Sequence, residues 1–304
     1  MITHVAGDVA RAWARLARSL PSLHAEASAG GLAALEDAVR AAPAVTGADL
    51  AGLGDEDRRI IALDILLVES FARRHGGLPG PEGRAALDQA AAAVAAALDI
   101  RPILTYPLYI RHNPLPPEPL RTFTPLPAEA RFIRMHRAVE DDLDGLIPRL
   151  DAVLAAAAPD DGLSAALAAA YRPLAEGFRR VNRMMAAFQD PIRMPVADFT
   201  HGFRPYYASA TDPATGAITL EGPSGLQSPT FRAIAMQMGY ADHGLDHWTT
   251  HLAGYHEPSV RADLERRRAR RDAGGSLADA FAARFGGREQ PRLHPSCTPP
   301  RCPI

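Results

Sequence analysis

The chain has 304 residues, 47% apolar and 22% charged, with a formal net charge of −2. That length suffices for a large buried core, and the near-neutral balance gives no long-range attraction to nucleic acid or to an anionic membrane, so neither is expected as a partner. No apolar run reaches the roughly 18 residues needed to cross a bilayer, and the start MITHVAGDVARAW lacks the charged-then-apolar order of a secretory signal, so a cytoplasmic protein is expected.

All 33 basic residues are arginine, which fits codon usage in a GC-rich genome better than any physical demand. Both cysteines, Cys297 and Cys302, fall in the last eight residues, so no disulfide framework is expected. With His294 they offer three metal ligands, one short of a structural zinc site, and residues 288–304 are expected to form a disordered tail.

From the amino terminus, Val5, Val9, Trp13, Leu16 and Leu20 recur at helical spacing, and Leu32, Leu35 and Val39 repeat the pattern over 29–42. The run from Asp55 to His75 has acids at its start, bases at its end and an apolar interior, as a helix dipole favours, before GGLPGPEG stops it. An alanine-rich helix follows, ending at Ile100, whose small side chains suit close packing. In RPILTYPLYIRHNP, Pro102 is expected to open a short helix that Asn113 and Pro114 close.

The connector LPPEPLRTFTPLP, ending at Pro127, reads as a linker or as a strap over a core. From Ala128 a long helix is expected, bent at Pro148 and running toward Ala158. Phe132, Met135, Val139 and Leu143 form its apolar stripe, with His136 beside it. Another helix is expected over about 163–188. Only AITLEG, after the turn DPATG, alternates like a strand. The fold class is therefore all-α, with a smaller N-terminal helical lobe over 1–100 and a pocket-bearing helical domain over 101–287.

The stretch from Met194 to Val260 has the composition of a binding site. In PVADFTHGFRPYY, Phe199 and Arg204 lie one and a half turns apart, so the ring can stack on an aromatic ligand while the guanidinium grips a carboxylate. Pairing of Arg204 with an internal acid is an equal alternative. GPSGLQSP opens a helix, so its amides can hold a carboxylate, or Ser224 serves as an ordinary N-cap. His243, His247 and His251 share one helix face and allow a zinc reading, but HExxH is absent, and solvated or structural histidines are expected. ERRRARR, flanked by acids, reads as a solvated helix face.

Several of these segments, in this order, resemble the histidine-ligated haem dioxygenase superfamily that includes indoleamine 2,3-dioxygenase, nearest its bacterial branch, the monodechloroaminopyrrolnitrin synthase family. RPILTYPLYIRHNP is similar to the distal-pocket segment, EARFIRMHRAVEDD to the next pocket helix, PVADFTHGFRPYY to the helix that contacts substrate, EGPSGLQSP to the loop over the haem edge, and GYHEPSVRADL to the helix start after it. The likeness covers roughly residues 95 to 285.

The resemblance implies a helical bundle of indoleamine/tryptophan dioxygenase type that binds haem b and oxidises an indole or related aromatic amino acid, such as tryptophan, with O2. By carry-over, Phe199 stacks on the substrate, Arg204 binds its carboxylate, and Tyr106, Tyr109 and Phe132 shape the pocket. His136 bonds to oxygen or substrate, and Ser224 and Gly225 lie at the haem edge. In the family the axial histidine comes from a long helix beyond the region matching SLADAFAARF. Here GGREQPRLHPSCTPPRCPI follows instead, so the metal ligand stays unassigned. A non-catalytic helical binding protein that keeps the pocket is the alternative.

Overall fold

The computed structural model describes residues 4–28, 31–156, 162–188, 190, 193–240 and 243–285. The chain is all-α, with a single two-stranded antiparallel sheet among the described residues. The proposed tail, with His294, Cys297 and Cys302, lies outside them. No described helix is long and apolar enough to cross a membrane.

The first helices are α1 (His4–Ser28), α2 (Ala33–Ala41), α3 (Gly47–Ala51), α4 (Asp55–Arg74) and α5 (Pro81–Leu98). Helix α4 is the axle of this half. Residues 61–68 are all buried, so it is enclosed on every side, as a helix apolar all round must be. Its acids at the first turn and Arg73 and Arg74 at the last complement the helix dipole, as the sequence predicts. The small residues Ala90, Ala91 and Ala95 of α5 are buried with it in the core. That core continues past residue 100, taking in Tyr106, Tyr109, Phe123, Phe132, Phe203 and Tyr207.

The short helix α6 (Tyr106–Ile110) starts later than Pro102, the residue from which it is expected. Arg101 N–H is taken by Gly254 O at 2.8 Å and Ile103 N–H turns back to Arg101 O at 2.8 Å, so the chain is not free to coil until Thr105 caps the next turn. The proline-rich connector is a strap. Arg121, Phe123 and Thr124 are buried, and the Asn113 amide is bonded to Arg121 N, Arg121 O and Tyr109 O. Arg121 Nε also donates to Asp64 Oδ1 of α4 at 2.6 Å. Both side chains are almost wholly enclosed, and burial pushes the Asp64 carboxyl up to about 6 against the pull of the guanidinium.

The long helix expected from Ala128 is broken rather than bent. It comprises α7 (Pro127–Asp144) and α8 (Ile147–Ala156), parted at Gly145. Leu146 N–H turns back to Leu143 O at 2.9 Å, and Pro148, lacking an N–H, falls in the first turn of α8, where none is required. Helix α9 is Gly162–Phe188. A second apolar cluster joins Val139, Leu143, Leu150, Leu174, Ile234 and Leu277.

Residues Asp198–Phe203 form a wide π-type turn that tightens into a 3-10 turn at Arg204–Tyr207. This is not the regular helix expected there. Strands β1 (Ala210–Thr211) and β2 (Ile218–Leu220) flank the expected DPATG turn. Then come α10 (Pro229–Met238), α11 (His243–His251), α12 (Pro258–Asp272) and α13 (Leu277–Phe285). The arginine run in α12 is only partly a solvated face. Arg267 bonds Asp151 and Asp263, and the buried Arg271 bonds Asp246, Asp272 and Tyr240 O.

The glycine of the GPSG loop that the packing requires is Gly222. A Cβ there would stand 2.1 Å from Tyr207 O and 2.9 Å from the Ala208 carbonyl carbon, and backbone cannot give way as a flexible side chain can. Gly222→Ala is expected to lower stability by about 1–3 kcal/mol, the usual range for overpacking. Gly225→Ala, where a Cβ meets nothing within 4 Å, is the matched control. Thermal unfolding of the two variants separates them.

Candidate functional site

The site is set by the start of α7. Glu129, fully buried, accepts hydrogen bonds from Tyr109 Oη (2.5 Å), Phe123 N (2.7 Å), Thr124 N (2.9 Å) and Thr124 Oγ1 (2.6 Å). Loss of water raises the carboxyl above its ordinary range, and these donors oppose the rise. One side chain thus ties α6, the strap and α7 together, and fixes Phe132 and His136 one and two turns further on.

Around Phe132 the predicted residues do assemble. The His136 ring lies 4.0 Å from the Phe132 ring centroid, with Nδ1 at 2.9 Å from Phe132 O. Phe199 stacks on Phe132 at 5.8 Å and 27°. Tyr106 meets His136 edge-on at 6.2 Å, and Tyr109 meets Tyr207 edge-on at 5.3 Å. Arg204 is exposed, its guanidinium 6.0 Å from the Tyr207 ring centroid, and that ring is 6.0 Å from Phe132. Among the described residues no carboxylate pairs with Arg204. Burial lowers His136 below the usual histidine value, so its imidazole is neutral at pH 7.

The two tyrosine hydroxyls are committed inward. Tyr106 Oη donates to buried Glu140 at 3.0 Å, and burial drives both phenols well above their ordinary value. The Gly/Ser loop meets the same region from the far side. Gln227, buried at its end, accepts from Tyr106 N at 2.8 Å and donates to Gly222 O at 3.1 Å. Ser224 caps its own 3-10 turn by accepting from Leu226 N, and Gly225 is exposed.

Three features of this region were not singled out in the sequence. Phe203 and Tyr207 complete the aromatic wall. Glu129 and Gln227 build the scaffold. The third is a cleft of about 380 Å³ between α7, the end of α9 and the following turn, with Met135, Met184, Ala187 and Met194 as its apolar surface and Arg131, Arg134 and Arg193 beside them. Among the described residues, Arg131 and Arg134 have no acidic partner. The cleft adjoins the wall, because Arg131 and Met135 neighbour Phe132 and His136 on α7 and Met194 shares a core cluster with Phe199.

A haem would need an apolar slot, groups for its two propionates and an imidazole nitrogen facing the iron. The cleft's methionines and arginines suit the first two. No histidine is among its described lining residues, and neither Ser224 nor Gly225 borders it. The residues present therefore fit an apolar ring bearing acid groups, but do not make up a complete haem site. His247 and His251 stack at 5.9 Å on α11, with His251 Nε2 at 3.6 Å from Glu221. Among the described residues no group of three or more His, Cys, Asp or Glu is placed to hold a metal.

Compared with family models and with curated proteins, the chain matches none.

Because the Tyr109 hydroxyl is spent on Glu129, Tyr109→Phe is expected to act on folding. Leaving a buried carboxylate one donor short costs about 1–3 kcal/mol. Chemical denaturation should show this loss.

Proposed function

We propose that this chain binds an indole or related aromatic amino acid, and that its activity is haem-dependent oxygenation of that ligand by O2. The observation that carries the binding half is the methionine-lined cleft with two guanidiniums that have no acidic partner among the described residues, set against the Phe132–His136–Phe199 wall. Its volume, about 380 Å³, falls in the lower part of the range for small-molecule sites, roughly 300–1,000 Å³. That suits a fused ring with one acid group.

Methionine sulfur is polarizable and packs well on aromatic faces, and an arginine fork matches a carboxylate bidentately. Arg131 and Arg134 would hold the acid group, and the methionines and Phe199 would enclose the ring and exclude water. His136, packed on Phe132, would help to shape the wall that the ring faces. The oxygenase half rests on the sequence resemblance, under which haem supplies oxygen activation. Since the described residues include no axial histidine at the cleft, no step is assigned through the iron.

That gap favours a second reading, a helical binding protein that takes up the aromatic acid without oxidising it.

The test has two arms on the full chain. Calorimetric titration with tryptophan should show binding that Arg131→Ala/Arg134→Ala weakens at least about tenfold, or roughly 1.4 kcal/mol, with unfolding unchanged. Titration with haem, followed by absorbance, should give a Soret band that tryptophan shifts. Tryptophan binding without any haem uptake selects the second reading. Failure of tryptophan, indole and related acids to bind, with or without haem, overturns both.

A further inference from the structure

A second cavity, about 230 Å³ in volume, lies against α6, between the start of α4, the end of α5 and the start of α12. One of its walls is His256, only 3% exposed, and neither ring nitrogen has a hydrogen-bond partner among the described residues. Such isolation is uncommon. Buried polar side chains are nearly always bonded, and an imidazole shut away from bulk water with both nitrogens unpaired loses free energy that a bound group would restore. Ile100, Pro107, Leu108 and Val260 give the cavity an apolar body, and Thr105 and Arg111 add polar edges.

The charge around it is unevenly matched. From α4, Arg59 is gripped bidentately by Glu257 and lies near Glu56, which also accepts from His112 at the end of α6. Arg111 is paired with Asp144, and Arg261 of α12 with Asp99. Tyr255, adjoining His256, uses its hydroxyl to accept from Glu221 N. Arg232 of α10 is the exception. It is 1% exposed and bonded only to neutral oxygens, Leu226 O and Thr249 Oγ1. Its charge bears on His256, and among the described residues no carboxylate is bonded to it.

We infer that this cavity is a ligand site separate from the methionine cleft, and that it takes a small organic acid: one carboxylate on a compact apolar body, bound beside His256. Size sets the class. A cavity of about 150 Å³ holds benzene, so 230 Å³ admits a single ring with an acid group. Charge sets the sign, since of the cations named above only Arg232 lacks a carboxylate, and its charge, felt at His256, calls for an anion.

Binding should also take up a proton. Desolvation, helped by Arg232 and Arg261, holds His256 down at about 4, so without ligand its imidazole is neutral at pH 5–7. A carboxylate alongside reverses that balance and favours the imidazolium. Affinity should then rise as pH falls, by up to about tenfold per pH unit between 7 and 5, the limit for one linked proton.

The probe is benzoate, titrated by calorimetry into Arg131→Ala/Arg134→Ala so that the cleft does not report. Binding of one benzoate, tighter at pH 5 than at pH 7 and weakened at least tenfold by adding His256→Leu, is the expected result. If the leucine variant does not fold, 15N spectra of the histidine rings in the unsubstituted protein replace it, and the His256 nitrogens should move from the neutral toward the doubly protonated pattern on saturation. Absence of benzoate and acetate binding across pH 5–7 overturns the inference, as does binding that His256→Leu leaves unchanged or ring nitrogens that respond to pH but not to ligand. The last result would mark a cavity filled by water alone.

Discussion

The buried carboxylate of Glu129 is the constraint from which the aromatic site follows. Taking an isolated carboxylate out of water is prohibitive unless it is fully bonded, and here two backbone amides, a threonine hydroxyl and a tyrosine hydroxyl converge on it. Those donors come from α6 and from the strap, so the strap cannot be a loose linker and the first turn of α7 cannot shift. Phe132 and His136 inherit that rigidity through ordinary helical spacing. The Asp64–Arg121 pair adds a second tie, from the strap to the axle helix α4. A buried ion pair is weak evidence of net stability, yet losing either partner strands a charge, so it strongly disfavours alternative placements of the strap.

The sequence is a good guide where one periodicity serves one helix. The apolar interior of α4 and its charged ends, the alanine packing of α5 and the DPATG hairpin all follow from residues close together in the chain. It is a poor guide where distant groups decide. The strap looks like a linker because prolines dominate its composition, while its true anchors, Asp64, Asn113 and Glu129, are scattered on either side. The break after Asp144 depends on Gly145 and the turn at Leu143 as much as on Pro148. The wide turn at Asp198–Phe203 carries no propensity signal, and it changes how Phe199 and Arg204 are presented: the ring packs inward on Phe132, while the guanidinium stays exposed over Tyr207.

Tyr106, Tyr109, Phe132 and Phe199 were legible because the segments bearing them are short and dense, whereas Phe203 and Tyr207 join the wall only through the turn that follows Phe199. The methionine cleft was not. Its lining comes from α7 and from the chain around residues 184–194, more than forty residues away, and neither part alone departs from an ordinary amphipathic pattern. His256 was invisible for a different reason. Nothing in GYHEPSV distinguishes a histidine that finds partners from one that does not, because the outcome depends on Arg232, Arg261 and the walls that α4 and α6 bring to it.

An all-arginine chain makes that distinction useful throughout. Most of the well-placed guanidiniums have an evident acidic partner: Arg59 with Glu257, Arg73 with Glu69, Arg121 with Asp64, Arg267 with Asp151. These pairs hold elements together and leave nothing over for a ligand. Among the arginines without one are Arg131 and Arg134 at the cleft and Arg232, whose charge bears on His256. Both places adjoin apolar cavities, and an apolar cavity next to an unmatched cation is an environment in which water is a poor substitute for an organic anion. The two proposed sites thus rest on one physical logic, a cation without a carboxylate partner in the fold beside an apolar cavity.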